Sequence, residues 1–342
     1  MHQFRRLAAA AVVAAAVTAG FVSAPTAGAS PVSTPPPTSN IDVGSNPYDV
    51  AVSQSLGKAF VVNDGSVSVL SLLTHRKIAE FSTGGYQGQN AVALVRGNRQ
   101  GYIANYETST VAVFDTETHK VVRQIPIGGG AVDVVKANTP RGQRAYLSVL
   151  KREQIVGVQT STGKVVQRIK LPAGASTLSA RPGGKTIWAG SVEQGKVWVV
   201  NTTTGKVSRT INVDRSGPIT SIAFALGAKR AWVAGLGGVS VVDTRTGKTK
   251  KFLTVNKLFT APPNMGAVAI SGSGRYAFVQ DSTAPDRPDR GVITMINTRT
   301  YKVVWRIRTG VQPWAIALDT RRDVAYVPNY LDDTVTIFAV PN

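Results

Sequence analysis

The sequence contains no cysteine and only three histidines, His2, His75 and His119. Without cysteine there is no disulfide, no thiolate metal site and no lipid anchor through an N-terminal cysteine, so burial alone must stabilise the chain. So few histidines argue against a His-ligated zinc, copper or haem centre and against a Ser-His-Asp apparatus. Helical apolar periodicity is also missing over any useful length, which leaves strands as the building material. Acids are scarce: 19 Asp and Glu stand against 39 Lys and Arg.

The N-terminus reads as a secretory signal peptide. Arg5 and Arg6 precede an Ala/Val-rich apolar stretch, and Ala27-Gly28-Ala29 supplies the small residues of a cleavage site before Ser30. The apolar stretch, residues 7–22, falls short of the roughly 20 residues a spanning helix needs. Cleavage near Ala29 removes two basic residues and no acid, which leaves 37 basic against 19 acidic residues, or +18. The expected location is therefore secreted or periplasmic, with no transmembrane segment in the mature chain. Residues 30–40 are rich in Pro, Ser and Thr and read as an extended linker, so the folded part, residues 41–342, is expected to begin near Ile41.

From there the chain repeats. A small-aromatic-aliphatic triplet recurs around Phe60, Tyr102, Tyr146, Trp188, Trp232, Phe278 and Tyr326, at spacings of 42, 44, 42, 44, 46 and 48 residues. About ten residues ahead of each aromatic lies an apolar strand residue (Val50, Val92, Leu178, Ile222, Val268, Ile316); in the third unit Val134 stands twelve ahead. An alternating segment follows each triplet, then a turn of the form Asp/Asn-x-x-Thr-x-Lys, then a fourth alternating segment such as residues 120–127 or 302–309. Four short strands per unit joined by polar turns make a four-stranded antiparallel blade. The predicted fold is all-β: a seven-bladed β-propeller of four-stranded antiparallel blades. The last unit has only three strands, and residues 41–44 look like a fourth strand lacking its first three. The N-terminal strand is therefore expected to complete the last blade.

The stretch Ala325-Tyr326-Val327-Pro328-Asn329, the segment 46–52 and the Asp-x-x-Thr-x-Lys turns resemble the YVTN repeat. From about residue 41 onward the chain is similar to the YVTN/YncE-like propellers, a superfamily that also contains quinoprotein dehydrogenase chains. The resemblance implies a seven-bladed ring and allows DNA binding. It does not single out an activity, because such rings host enzymes, binders and scaffolds alike.

Most of the repeating residues read as structure. One aromatic per blade in one register is what packing between blades requires. Gly163, Gly205 and Gly247 suit a left-handed turn position, and His75, His119 and Tyr301 occupy the same column, so both histidines are expected to be exposed turn residues. The sequence 183–186 echoes a phosphate loop, but Ser179 stands where its first glycine belongs. Carboxylates and amides at the channel mouth could hold Ca²⁺, yet calcium-loop spacing is absent, and no cofactor or metal is expected.

Two regions remain as candidates. The turns between first and second and between third and fourth strands share one face. They carry Lys120, Lys164, Lys206, Lys248 and Lys302 together with arginines such as Arg96, Arg99, Arg141 and Arg144. That pattern fits either ordinary solvated turns or an electrostatic footprint for a polyanion such as nucleic acid or an anionic cell surface. The opposite face, at the channel mouth, is more acidic and less regular, with two long loops at 256–266 and 282–291. A pocket near units six, seven and one would gather Asp49, Tyr48, Asn63, Asp281, Trp314 and Asn329. The leading expectation is a monomeric, non-enzymatic exported binding or scaffold module for such a polyanion or for another protein. The alternatives are a lactonase-like hydrolase acting at the mouth, or a partner to a redox chain.

Overall fold

The computed structural model describes residues 34–84, 88–213, 215–255, 266–281 and 291–341. Seven four-stranded antiparallel sheets follow one another, six of them up-and-down meanders of consecutive strands. Blade 1 runs through Asp49–Ser53, Lys58–Asn63, Ser66–Ser71 and Arg76–Ser82, and the strands of blades 2 to 6 fall within residues 89–126, 131–170, 175–212, 219–253 and 268–308. Blade 7 takes Ala317–Asp319, Val324–Asn329 and Thr334–Ala339 from the C-terminus and Thr38–Asp42 from the N-terminus. Thr38 pairs with Phe338 and Ile41 with Val335, so the two ends of the chain close the ring non-covalently. The closing strand begins at Thr38, three residues inside the segment expected to be linker. No helix among the described residues is long and apolar enough to cross a membrane.

The core is divided among the seven blade boundaries. Each cluster of buried apolar side chains draws on two neighbouring blades. Tyr326 and Val335 of blade 7 meet Val61 and Leu70 of blade 1, and Phe60 and Val69 of blade 1 meet Ile103 and Phe114 of blade 2. The remaining five boundaries repeat the pattern. All seven triplet aromatics are essentially inaccessible, and each contributes about 1.5–3 kcal/mol by burial. The irregular third unit keeps the register. Val135 faces Tyr146 as Ala51 faces Phe60, and its first hairpin simply extends further, to the pair Thr139 and Gly142. The first strand of blade 7 is short, Ala317–Asp319. Pro328 opposite it has no N–H to give and only accepts, from the Trp314 N–H at 3.0 Å.

The outer strands carry a shared defect. In blades 1 to 6 the third-to-fourth strand pairing slips by one residue at the same place. The extra residue turns outward, so that Ile78, Val122, Val166 and Val304 are exposed. A bulge of this kind bends the edge and spoils it as a template for another strand.

Polar groups join neighbouring blades near the axis. Asp49 accepts from the Val50 N–H and, across the boundary, from the Val92 N–H of blade 2, both at 2.8 Å. Asp133 bonds Val134 and Leu178 of blade 4 in the same way, both at 2.6 Å, and Ser221 accepts from Val268 of blade 6 at 3.0 Å. Both aspartates are buried. Desolvation outweighs their two N–H donors and raises the Asp49 carboxyl to about 7. Asp133 is raised well above the ordinary carboxylate range, first by burial and further by the charge of Asp49.

Two predictions follow from this architecture. A chain beginning at Gly44 loses the closing strand and with it the burial of Ile41 and Val43, at a cost of at least about 3 kcal/mol. It should melt well below a chain beginning at Thr34 when followed by circular dichroism, and equal melting would contradict closure by this strand. The second concerns pH. The native state holds protons that the unfolded chain releases above about pH 4, so stability should fall as pH rises from about 4 through 7. Asn at position 49 cannot ionise, so urea unfolding of Asp49→Asn should show a flatter loss between pH 5 and 8 than the parent. The variant should also be weaker at pH 5 by about 1–3 kcal/mol, because its amide nitrogen meets a backbone N–H. Identical pH slopes in the two proteins would remove Asp49 from the account.

Candidate functional site

The two faces differ in how their side chains are used. Contacts between turns establish which turns lie together. The Lys58 ammonium of a first turn lies 3.4 Å from the His119 ring of the next blade's third turn, and Arg230 donates to the Tyr301 hydroxyl at 2.9 Å across another boundary. On this face the Asp/Asn-x-x-Thr-x-Lys turns close as their sequence requires. Asp115 accepts from the N–H groups of Glu117 and Thr118, and Asp243 from those of Arg245 and Thr246. Asn201 and Asn297 do the same with neutral amides. The Thr118 and Thr246 hydrogen bonds hold the Asp115 and Asp243 carboxyls below the usual range. Asp319 is fully buried against Arg321, Arg322 and the Arg322 guanidinium.

Asp115, Asp243 and Asp319 are thus turned into their own loops, while the lysines are not. Lys120, Lys164, Lys206, Lys248 and Lys302 are all exposed and recur once per blade through blades 2 to 6. Among the described ion pairs, Lys77 with Glu80, Lys170 with Glu153 and Arg322 with Asp319, none involves these five. Arg144 departs from the expected basic turn. It is buried and donates to the Tyr146 hydroxyl and the Gln167 carbonyl oxygen, so its charge serves the blade boundary.

The turn column is also less simple than its sequence suggested. His75, His119 and Tyr301 have φ of 53°, 57° and 60°, matching Gly163, Gly205 and Gly247 at 70°, 68° and 73°. Neither histidine is an exposed turn residue, however. Each is half-buried over the preceding blade: His119 stacks on Phe81 at 5.6 Å and His75 meets Tyr326 at 6.3 Å. Burial and the nearby Lys58 charge lower the His119 pKa, which suits an imidazole used as a neutral aromatic plate. Where the column holds glycine, a long side chain of the preceding blade takes the space. A Cβ at residue 163 would collide with Arg123, and one at 205 with Gln167.

At the mouth, sequence columns and actual positions part company. Tyr48 and Trp314 do meet, edge to face at 5.4 Å. Tyr330, which the repeat pattern did not single out, completes the group by stacking on Trp314 at 4.6 Å and packing on Tyr48 at 5.2 Å. Burial, with the Asp64 charge beside it, holds the Tyr48 phenol protonated far above its usual range. Asp49 lies beneath this cluster as a boundary link rather than at a rim. Asn63 and Asn329 turn into their own hairpins and donate to Ser66 and Ser68, and to Thr334 and Thr336. Asp281 ends a strand of blade 6, but its side chain and most of the two long loops lie outside the described residues. Of the six expected mouth residues, Tyr48 and Trp314 join an aromatic cluster, while Asp49, Asn63 and Asn329 hold hydrogen bonds within the fold.

Neither a family model nor a curated protein matches this sequence. Among solved structures, a chain of Kuenenia stuttgartiensis hydrazine synthase superposes with a TM-score of 0.74 at 18% identity, covering 86% of this chain and 96% of that one. At that identity the similarity carries the architecture alone: this chain is a seven-bladed β-propeller.

Proposed function

We propose that this protein is an exported, non-enzymatic binding module that engages a polyanion, such as DNA or an anionic cell-surface polymer, through the turn face of its propeller. The observation that carries the reading is the row of five exposed lysines, one in each of blades 2 to 6 and outside any described ion pair, on a face where Asp115 and Asp243 are folded into their own turns. Charges repeated at blade intervals match a ligand that repeats its own charge, and each phosphate neutralised releases counterions. Aromatic side chains on this face are occupied at blade boundaries, so contact falls on the polymer's charged backbone rather than on stacked bases. The order of charged, apolar and small residues in 1–29 supports export. The YVTN-like motif at 325–329 supports the finer placement among YVTN/YncE-like propellers.

Binding of the mature chain to duplex DNA should weaken steeply with salt. The triple variant Lys206→Glu, Lys248→Glu, Lys302→Glu should lose at least about tenfold in affinity at low salt, and its log–log salt slope should shrink by about 0.9 for every phosphate contact removed. Fluorescence anisotropy at two salt concentrations measures both quantities. Equal affinity and slope in the variant would overturn the reading.

A further inference from the structure

A cleft opens at one blade boundary on the turn face. At the others, side chains meet near the gap between neighbouring blades. His75 lies over Tyr326, His119 over Phe60 and Phe81, Tyr301 over Trp232, Trp188 against Phe224, and Phe278 against Phe338. Between blades 3 and 4 the seal is polar: the Arg144 guanidinium, the Tyr146 hydroxyl and the Gln167 amide bond one another. Between blades 2 and 3 a cavity of about 200 Å³ opens instead, lined by Arg96, Gln100, Tyr102, Arg123, Thr160 and Ser161 among others.

The lining has a definite chemistry. Tyr102 is 1% exposed, and its hydroxyl makes no hydrogen bond among the described residues while its side chain borders the cavity. The Arg96 side chain has no hydrogen-bond or ion-pair partner among the described residues either. The backbone at Arg96 is in the left-handed region at φ 52°, and its N–H is held by the Gln143 side chain at 2.5 Å. Arg123 crosses directly over Gly163, where a Cβ could not fit, and donates to the Thr162 carbonyl. The space it takes is left by a glycine at the position where three other turns carry His75, His119 or Tyr301. Partial burial raises the Tyr102 pKa, and the Arg123 and Arg96 charges beside it oppose that rise. Hydroxyl and amide groups of Gln100, Tyr102 and Ser161 complete a set rich in donors, and the lining contains no carboxylate.

We infer that this cleft is a discrete binding site for one tetrahedral oxyanion group, a phosphate or sulfate, held between the Arg96 and Arg123 guanidiniums with the Tyr102 hydroxyl at its base. Guanidinium donors match such a group in geometry as well as charge, and a phenol hydroxyl that borders the cavity adds a hydrogen bond when the site fills. The inference rests on the reading of this face as a polyanion surface and gives it one fixed seat: the lysines attract the polymer, and the cleft takes one of its charged groups.

The test titrates inorganic phosphate, methyl phosphate and methyl sulfate against the mature chain by calorimetry, with ³¹P line broadening for the phosphates. Phosphate should bind the parent in a saturable way. Tyr102→Phe, which keeps the ring and removes only the hydroxyl, should weaken it by about 3–10-fold. The pair Arg96→Gln, Arg123→Gln should weaken it by at least about tenfold. Gly163→His, which places at 163 the residue found at 75 and 119, should displace Arg123 and abolish binding. All three variants should keep the parent's circular dichroism spectrum. The triple lysine reversal should leave phosphate affinity within about twofold, because its charges act from a distance through screening solvent. Ester binding as tight as that of the free ion identifies a group presented on a polymer; rejection of both esters identifies a free ion in the same site. Phosphate binding in the cleft without DNA binding would sustain this site while removing the polyanion reading. DNA binding with phosphate affinity unaltered in the Tyr102 and arginine variants would overturn this site and spare that reading, and absence of saturable phosphate binding to the parent would overturn it outright.

Discussion

A blade of this protein has two apolar faces and can bury them only against other blades. That constraint governs the rest. The buried clusters do not sit inside sheets but across the seven boundaries, so a missing neighbour would expose half of a blade's core. A ring is the arrangement in which every blade has two neighbours, and the antiparallel pairing of residues 38–42 with 334–338 makes this one complete. Lacking disulfides, the ring depends on boundary packing and on a few polar links near the axis. The buried Asp49 and Asp133 are the most consequential of these links, since each ties a first strand to the next through a backbone N–H and loses stability as it ionises.

The same boundaries decide which turn residues are tolerated. A left-handed position strains any residue with a Cβ, yet His75, His119 and Tyr301 occupy it in three blades. Their rings cover the aromatic of the blade before, and that packing offsets the strain. Glycine stands where the preceding blade already sends a long polar side chain over the turn, as Arg123 and Gln167 do. The column is complementary across the boundary: a ring on one side or a reaching arm from the other. The open cleft beside Tyr102 lies where an arm crosses the turn without a partner such as Arg144 to seal the gap.

The architecture was legible in the sequence because its causes are periodic. Alternation, turn chemistry and one aromatic per unit each recur seven times or nearly so, and tertiary packing reinforces every one of them. Site residues were harder to read for the same reason. Asn63 and Asn329 stand at equivalent strand ends and looked like rim amides, but hairpin geometry turns both inward onto hydroxyls seven residues or fewer away. Arg144 counted among the turn cations because its hairpin is longer than its neighbours', and that extra length carries it into the boundary. Tyr330 escaped notice because the triplet register does not include the residue after the second strand, although a ring there beside Trp314 and Tyr48 departs from the pattern. The folding of acids into their own turns was partly visible in the Asp-x-x-Thr-x-Lys motif. Its electrostatic result, cations left unanswered on one face, emerges only when the seven turns are placed side by side.

The central claim is that one face of the ring, and not its mouth, meets an anionic polymer. Amide hydrogen exchange of the mature chain with and without duplex DNA tests it most directly. Protection should appear in the turns at 96–99, 115–120, 159–164, 201–206, 243–248 and 297–302, with the mouth loops at 44–48 and 310–314 and the turn at 330–333 unchanged. Protection concentrated in those mouth segments, with the turn face exchanging as in the free protein, would contradict the account.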